Sequence, residues 1–279
     1  MKLRWTDIWL VNVQGKWDND CFAIRHLSPP KARRLADMNG PNSVPPGSQL
    51  VAKDHAGDGK YHLLLAATGS VATIKIPNIV ERLAKNTNLS IRIVLTEAAT
   101  NFLQGQSEEQ PDLATLSKYP NVDAIYRDAD EWSTWKRGDP ILHIELRRWS
   151  DALVIAPLSA NTLADIRYGR CDKLLTSVVR AWQVESIWSS SSQTWFPGEG
   201  SLTQKPIVVA VAMNTAMWKH PLTEKQLAKL GHWFEILRPV EKELACGDTG
   251  DGAMHEWKDI VANIESRILF PGIIRDTKV

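Results

Sequence analysis

The 279-residue sequence is poor in cysteine, has no excess of either charge and contains no long apolar run. Three cysteines, Cys21, Cys171 and Cys246, are too few for a disulfide scaffold and lack C-x-x-C spacing. A structural zinc site is therefore not expected, and a reducing compartment is. Lys and Arg number 33 against 32 Asp and Glu, so a net charge of +1 offers no overall basic field for nucleic acid or an acidic membrane surface. No apolar run approaches the ~18 residues that span a bilayer. The opening MKLRWTDIWLVNVQGKWDNDCF is interrupted by Asp7, Lys16 and Asp18 before any signal-peptide core develops. The expectation is a cytoplasmic globular protein with no nucleic-acid partner, no membrane partner and no metal.

What is present falls into blocks. Residues 1–60 mix Pro, Gly, Asn and charge with little periodicity and read as an irregular N-terminal extension, although Trp5, Trp9 and Trp17 would suit a packed arm. Residues 61–270 read as one domain, interrupted by a Ser/Gly-rich surface insertion at 183–206, and 271–279 as a tail. Within the domain, apolar runs of four to seven residues end in small-residue turns and lead into helical periodicity, the signature of repeated βα units. Strands are expected at 62–67, 91–95, 152–157, 207–212 and 233–237. Helices are expected at 74–86, after Thr96, and at 143–149, 161–169, 172–182, 222–231 and 255–268. Pro77 should occupy a first helical turn, where its missing N–H is harmless. Near-continuous apolar strands suit burial on both faces. The fold class expected is α/β, an open, doubly wound parallel sheet of the Rossmann-like or flavodoxin-like kind. Residues 238–254 hold too many glycines for a regular element and read as a loop, the place where lids over sites are often found.

In an open parallel sheet ligands bind beyond the carboxyl ends of the strands, which makes the turns there the first candidates. After the first strand, Thr68-Gly69-Ser70-Val71 could hold a phosphate on its backbone N–H groups or be an ordinary turn; the full G-x-G-x-x-G is lacking. Ser159-Ala160-Asn161-Thr162 could be a helix N-cap or a second polar cradle for the same ligand. In Met213-Asn214-Thr215-Ala216-Met217, the Asn214 amide could meet a substrate carboxylate while the methionines face a flat apolar group, with ordinary packing as the alternative. Cys246 lies in the glycine-rich loop, where a thiol of ordinary pKa near 8.5 is a usable acid toward a carbanion-like intermediate. His143 opens a helix beside Glu145, Arg147 and Arg148, where a histidine hydrogen-bonded in an interface is the competing reading. Asp248-Thr-Gly-Asp-Gly is not a calcium loop: its third position is glycine and the late glutamate is missing.

Five segments together resemble the phosphopantothenoylcysteine decarboxylase family, with its Hal3-type halotolerance proteins, among the homo-oligomeric flavin-containing cysteine decarboxylases. They are LLLAATGSVATIK (63–75), DEWSTWKRGDPILHIELRRWSDALVIAPLSANTLADI (130–166), CDKLLTSVVRAW (171–182), AMNTAMW (212–218) and LACGDTGDGAM (244–254). The resemblance covers about 61–270 and implies an FMN enzyme that makes 4'-phosphopantetheine and carbon dioxide from 4'-phospho-N-pantothenoylcysteine in coenzyme A synthesis. It also implies a homotrimer with active sites between subunits. FMN would be held by Gly69, Ser70 and Val71, by Thr96, Glu97 and Ala98, and by Ser159, Ala160, Asn161, Thr162 and Ala212. His143 would be the base, Asn214 would bind the substrate carboxylate with Met217, Lys242 and Ala245 nearby, and Cys246 would be the proton donor.

The chemistry explains the need for these groups. Loss of carbon dioxide from an sp3 carbon beside an amide nitrogen leaves electrons with nowhere to go. Oxidising the thiol to a thioaldehyde creates a sink, and re-reduction with protonation restores the thiol without net redox change. Val211 stands where the family usually has proline, and Glu243 where it usually has a basic residue. The alternative is a Hal3-like regulatory subunit, a protein phosphatase inhibitor or a partner in a heterotrimeric decarboxylase. Such chains tend to lose the cysteine and carry an acidic tail, whereas this sequence keeps Cys246 and ends GIIRDTKV.

Overall fold

The computed structural model describes residues 50–105, 112–133, 135–182, 186–189, 194–197, 205–231, 233–243 and 249–269. In chain order the first strands are β1 (Tyr61–Ala67), β2 (Leu89–Leu95), β3 (Val122–Arg127) and β4 (Ala152–Leu158). A two-stranded hairpin of β5 (Ser186–Ser189) and β6 (Thr194–Pro197) follows, then β7 (Ile207–Val211) and β8 (Glu235–Leu237). A second antiparallel hairpin consists of β9 (Val240–Glu243) and β10 (Thr249–Ala253). The central sheet has the order β3-β2-β1-β4-β7-β8 with every pair parallel. This is the open, doubly wound sheet expected from the alternating pattern.

The helices are α1 (Ile76–Leu83), α2 (Glu97–Thr100), α3 (Leu113–Leu116), α4 (Leu142–Trp149), α5 (Ala160–Arg167), α6 (Leu174–Ala181), α7 (Thr215–Trp218), α8 (Pro221–Leu230) and α9 (Trp257–Leu269). Strand side chains alternate between two cores. Leu63, Leu65 and Ala67 of β1 meet Ile79, Leu83 and Ile264 of α1 and α9 on one face. Leu64 and Ala66 meet Leu146, Leu163 and Val178 of α4, α5 and α6 on the other. Local sequence sets the helix starts: Thr96 accepts from the Ala99 N–H, and Pro77 and Pro221 lie in first turns where no donor is lost. Ahead of β1, Leu50 is buried in the second core and the Ala52 N–H donates to Glu145 of α4 at 2.8 Å.

Three elements differ from the sequence expectation. β3 was not expected, because as an edge strand it alternates exposed Asp123 with buried Val122 and Ile125 instead of forming an apolar run. The segment 183–206, read as a Ser/Gly-rich surface insertion with no strand assigned, contains the β5–β6 hairpin. The segment 238–254, read as loop, contains β9 and β10. Its glycines suit a strand here because the strand lies directly on the turn and helix that follow β7. A Cβ at Gly252 would stand 2.0 Å from the Met213 carbonyl oxygen, and one at Gly250 would stand 1.9 Å from Thr215 Oγ1.

Candidate functional site

The strand order reverses at β1, whose neighbours are β2 and β4, so the turns after β1 and β4 flank a switch-point crevice. Thr68 stitches those turns together. Its N–H and Oγ1 both donate to the Pro157 carbonyl, at 3.1 and 2.9 Å, and Oγ1 accepts from the Ser159 N–H at 2.7 Å. Thr68 is fully buried, so each bond replaces one that water cannot supply. Gly69 follows because nothing larger fits: a Cβ there would lie 2.8 Å from the Ala98 methyl. Ser70 then caps the 3-10 turn Val71–Lys75, and Ser159 caps α5 through the Thr162 N–H.

The crevice opens into a cavity of about 560 Å³. Gly69, Ser70 and Val71 line it from β1, Ser159, Ala160 and Asn161 from β4, and Ala212, Asn214 and Met217 from β7. The β9–β10 hairpin closes a further side through Lys242 and Gly252 to Met254. That hairpin is docked on the β7 turn by the Met213 N–H, which donates to the Gly252 carbonyl at 3.0 Å. Asn214 Oδ1 accepts from the Ala216 N–H at 2.8 Å, which assigns the carbonyl half of the amide to the cap and the NH2 half to donation. Such a cavity, glycine-narrowed at one turn and otherwise walled by Val71, Ala160, Ala212 and Met217, fits a flat apolar group with a polar end.

The other expected site residues are dispersed. Thr96 and Thr162 are 3% and 2% exposed and are not among the residues that line the cavity, and Ala98 carries the methyl that a Cβ at Gly69 would meet. The Glu97 N–H donates to Asp128, whose carboxylate also accepts from the Leu174 N–H; burial pushes the Asp128 carboxyl above the usual carboxylate range. Lys242 is ion-paired with Glu256, and that pairing holds the Glu256 carboxyl below its ordinary value. Ala245 and Cys246 lie outside the described residues, as does the Glu243 side chain. His143, on the first turn of α4, is not among the residues that line the cavity. Its Nδ1 lies 2.5 Å from Oε1 of Glu131, a buried carboxylate, and the Trp132 ring meets the imidazole edge-on at 6.4 Å.

Sequence reasoning singled out neither Glu131 nor the stitching role of Thr68. Glu131 precedes His143 by twelve residues, a separation with no helical or strand period, so only the fold brings the two together. Asp165 was also missed: buried on α5, it accepts from Asn161 Nδ2 at 3.4 Å and from Lys173 Nζ at 3.2 Å, tying a cavity residue to α6. Its i, i+4 spacing from Asn161 was a usable signal.

Residues 52–269 match the model of the family described as Flavoprotein. The chain belongs to the flavoprotein family. Phosphopantothenoylcysteine decarboxylase of Mus musculus is 40% identical over 220 residues, which is 78% of this chain and 92% of that protein. A probable thymidylate synthase of Schizosaccharomyces pombe is 42% identical over 215 residues, 76% of this chain, but the chain spans only 30% of that protein. Among solved structures, a cysteine-to-serine variant of PPC decarboxylase complexed with pantothenoylaminoethenethiol is 42% identical, with a TM-score of 0.59 over 74% of this chain and 97% of that one. The FMN-binding protein AtHal3 is 42% identical, with a TM-score of 0.56 over 74% and 95%. Among the described residues no helix of this flavoprotein is long and apolar enough to cross a membrane.

Proposed function

We propose that this flavin-dependent decarboxylase converts 4'-phospho-N-pantothenoylcysteine to 4'-phosphopantetheine and carbon dioxide, a step of coenzyme A synthesis, in the cytoplasm. The observation that supports the reading is a single cavity at the switch point into which the Gly69–Val71 turn, Asn161, Asn214 and Lys242 all open. Similarity to decarboxylases over most of the chain supports it as well.

FMN bound there would accept two electrons from the substrate's thiol-bearing carbon and return them after carbon dioxide has left. Gly69, Ser70 and Val71, with Ser159, Ala160, Asn161 and Ala212, would hold it, together with Thr96, Glu97, Ala98 and Thr162 of the neighbouring turns. Asn214 donates its amide NH2 to the substrate carboxylate, holding it in place until the carbon–carbon bond breaks. Met217 covers the apolar side, and Ala245 and Lys242 contact the substrate, the Lys242 ammonium leaving Glu256 for the phosphate. His143 takes the thiol proton, which imidazole does near neutral pH. Cys246 returns a proton to the enethiolate carbon, so a carboxylate is replaced by hydrogen with no net redox change.

His143 does not line the cavity of its own chain, so a neighbouring copy supplies it, as in a homotrimer with sites between subunits. The test is release of carbon dioxide and 4'-phosphopantetheine by the purified chain, with the visible flavin spectrum recorded on the same sample. Turnover by a yellow protein supports the reading; a yellow protein without turnover contradicts it and points to a regulatory subunit of the Hal3 kind, acting on a protein phosphatase or completing another chain's site. Cys246→Ser should keep its flavin, release carbon dioxide and accumulate the enethiol. Normal amounts of 4'-phosphopantetheine from that variant would refute the proton-donor role.

A further inference from the structure

We propose that Glu131 is the positioning residue for His143: its carboxylate holds the imidazole as the Nδ1–H tautomer, leaving Nε2 as the proton acceptor. The step it serves rests on the decarboxylase reading above, while the pairing itself does not.

The geometry comes from two independently anchored elements. Glu131 follows the 3-10 turn Asp128–Asp130 at the end of β3, and that turn is pinned by Asp130, whose carboxylate accepts from the Arg127 N–H at 2.7 Å. His143 stands on α4, which Leu146 and Trp149 anchor in the core. The two side chains meet at 2.5 Å between Nδ1 and Oε1. Glu131 has only 5% of its side chain exposed, against 20% for His143, so the carboxylate lies inside and the ring lies between it and the surface. An ionised carboxylate only accepts hydrogen bonds, so the nitrogen facing it carries the hydrogen. A neutral imidazole protonated on Nδ1 presents a lone pair on Nε2, the atom pointing away from Glu131. Trp132 stands edge-on to the ring.

The neighbouring acids are engaged elsewhere. Asp130 is held by the Arg127 N–H, and Glu145, on the same helix as His143, accepts from the Ala52 N–H and from Arg148 at 2.6 Å. Among the described residues, Glu131 is thus the carboxylate hydrogen-bonded to His143. A simple ion pair holding α4 against the β3 turn would also explain the contact, and the two accounts differ in what removing the charge does. An ion pair supports stability alone. A positioning group changes the tautomer and the chemical step while substrate binding and folding stay as they were.

The test uses holoenzyme carrying 15N-labelled histidine, without substrate, the His143 signals being identified by their loss in His143→Asn. Wild type should show the protonated-nitrogen shift at Nδ1, and Glu131→Gln should show a mixed or reversed tautomer with unchanged flavin absorbance. In turnover, Glu131→Gln should lower kcat about 10- to 100-fold with KM nearly unchanged, the usual effect of losing a group that orients a functional histidine. Glu131→Ala combined with His143→Asn should be no slower than His143→Asn alone, because Glu131 acts only through His143. An unchanged tautomer in Glu131→Gln, or wild-type kcat in that variant, would overturn the proposal. The tautomer measurement needs no turnover, so it decides the role of Glu131 even if the decarboxylase reading fails.

Discussion

Around the β1–β4 switch point nearly every constraint is made by backbone and small side chains. Thr68 joins two turns, Gly69 sits where a methyl would touch Ala98, and Gly252 lies on the Met213 carbonyl. Around His143 the constraint is one side-chain pair, Glu131 to Nδ1, on elements whose own anchoring is ordinary core packing. The first region tolerates almost no added atom, whereas the second would keep its backbone if either partner were changed. The residues that line the cavity include Gly69, Ser159 and Asn214, and the histidine is not among them. A binding surface for a large rigid group is best built from fixed backbone, whose position no side-chain rotation can spoil. A proton-moving group needs a defined protonation state, which a carboxylate neighbour provides.

Adding one side chain to the cradle should break it most severely. Gly252→Val places its branched carbon where the Met213 carbonyl stands, so β10 must leave the β7 turn that carries Asn214. Turnover should fall at least about 100-fold, the usual result of ångström-scale misplacement of a group that binds substrate, the role proposed for Asn214, with the fold retained by far-ultraviolet circular dichroism. Wild-type turnover would show that the hairpin docks elsewhere in solution.

Thr68→Val has a smaller but still clear effect. The isosteric side chain keeps the packing and removes the hydroxyl, leaving the buried Ser159 N–H without its acceptor. The expected loss is about 1–3 kcal/mol of stability, read as a lower denaturant midpoint at unchanged slope, together with faster flavin release. The His143 tautomer should not change, which separates the two regions; a change there would join them.

The smallest expected effect lies far from both regions, at the start of β1. Burial raises the Tyr61 hydroxyl to a pKa of about 12, with the Asp151 carboxylate adding to the shift. A pKa raised in the folded state means that its contribution to stability is fully present below about 10 and lost as pH rises through about 12. The melting temperature of wild type should therefore fall more steeply across that interval than that of Tyr61→Phe. Parallel curves for the two proteins would remove Tyr61 from the account.

The doubly wound sheet was legible because β1, β2, β4 and β7 are near-continuous apolar runs, buried on both faces and bounded by small-residue turns. The same alternation located the turns that line the cavity, since ligand sites in such sheets follow from strand direction. Edge strand β3 was lost because Asp123 and Arg127 interrupt its apolar residues, so no continuous run forms. Strand β10 was lost because Gly250 and Gly252, which normally argue against a strand, are required by the Thr215 side chain and the Met213 carbonyl packed on them. The partner of His143 was illegible for a different reason: Glu131 and His143 belong to separate elements, and local periodicity carries no information about contacts between elements.

The central claim is that one chain supplies the cradle and a neighbouring copy supplies the histidine. Mixing two separately inactive variants, His143→Asn and Asn214→Ala, with subunits allowed to exchange tests it most directly. With sites shared between copies, random assortment pairs an intact cradle with an intact histidine in about a quarter of sites, and decarboxylation should return to about that fraction of wild type. Activity no greater than that of the two variants measured apart would contradict the claim and place the whole site within a single chain.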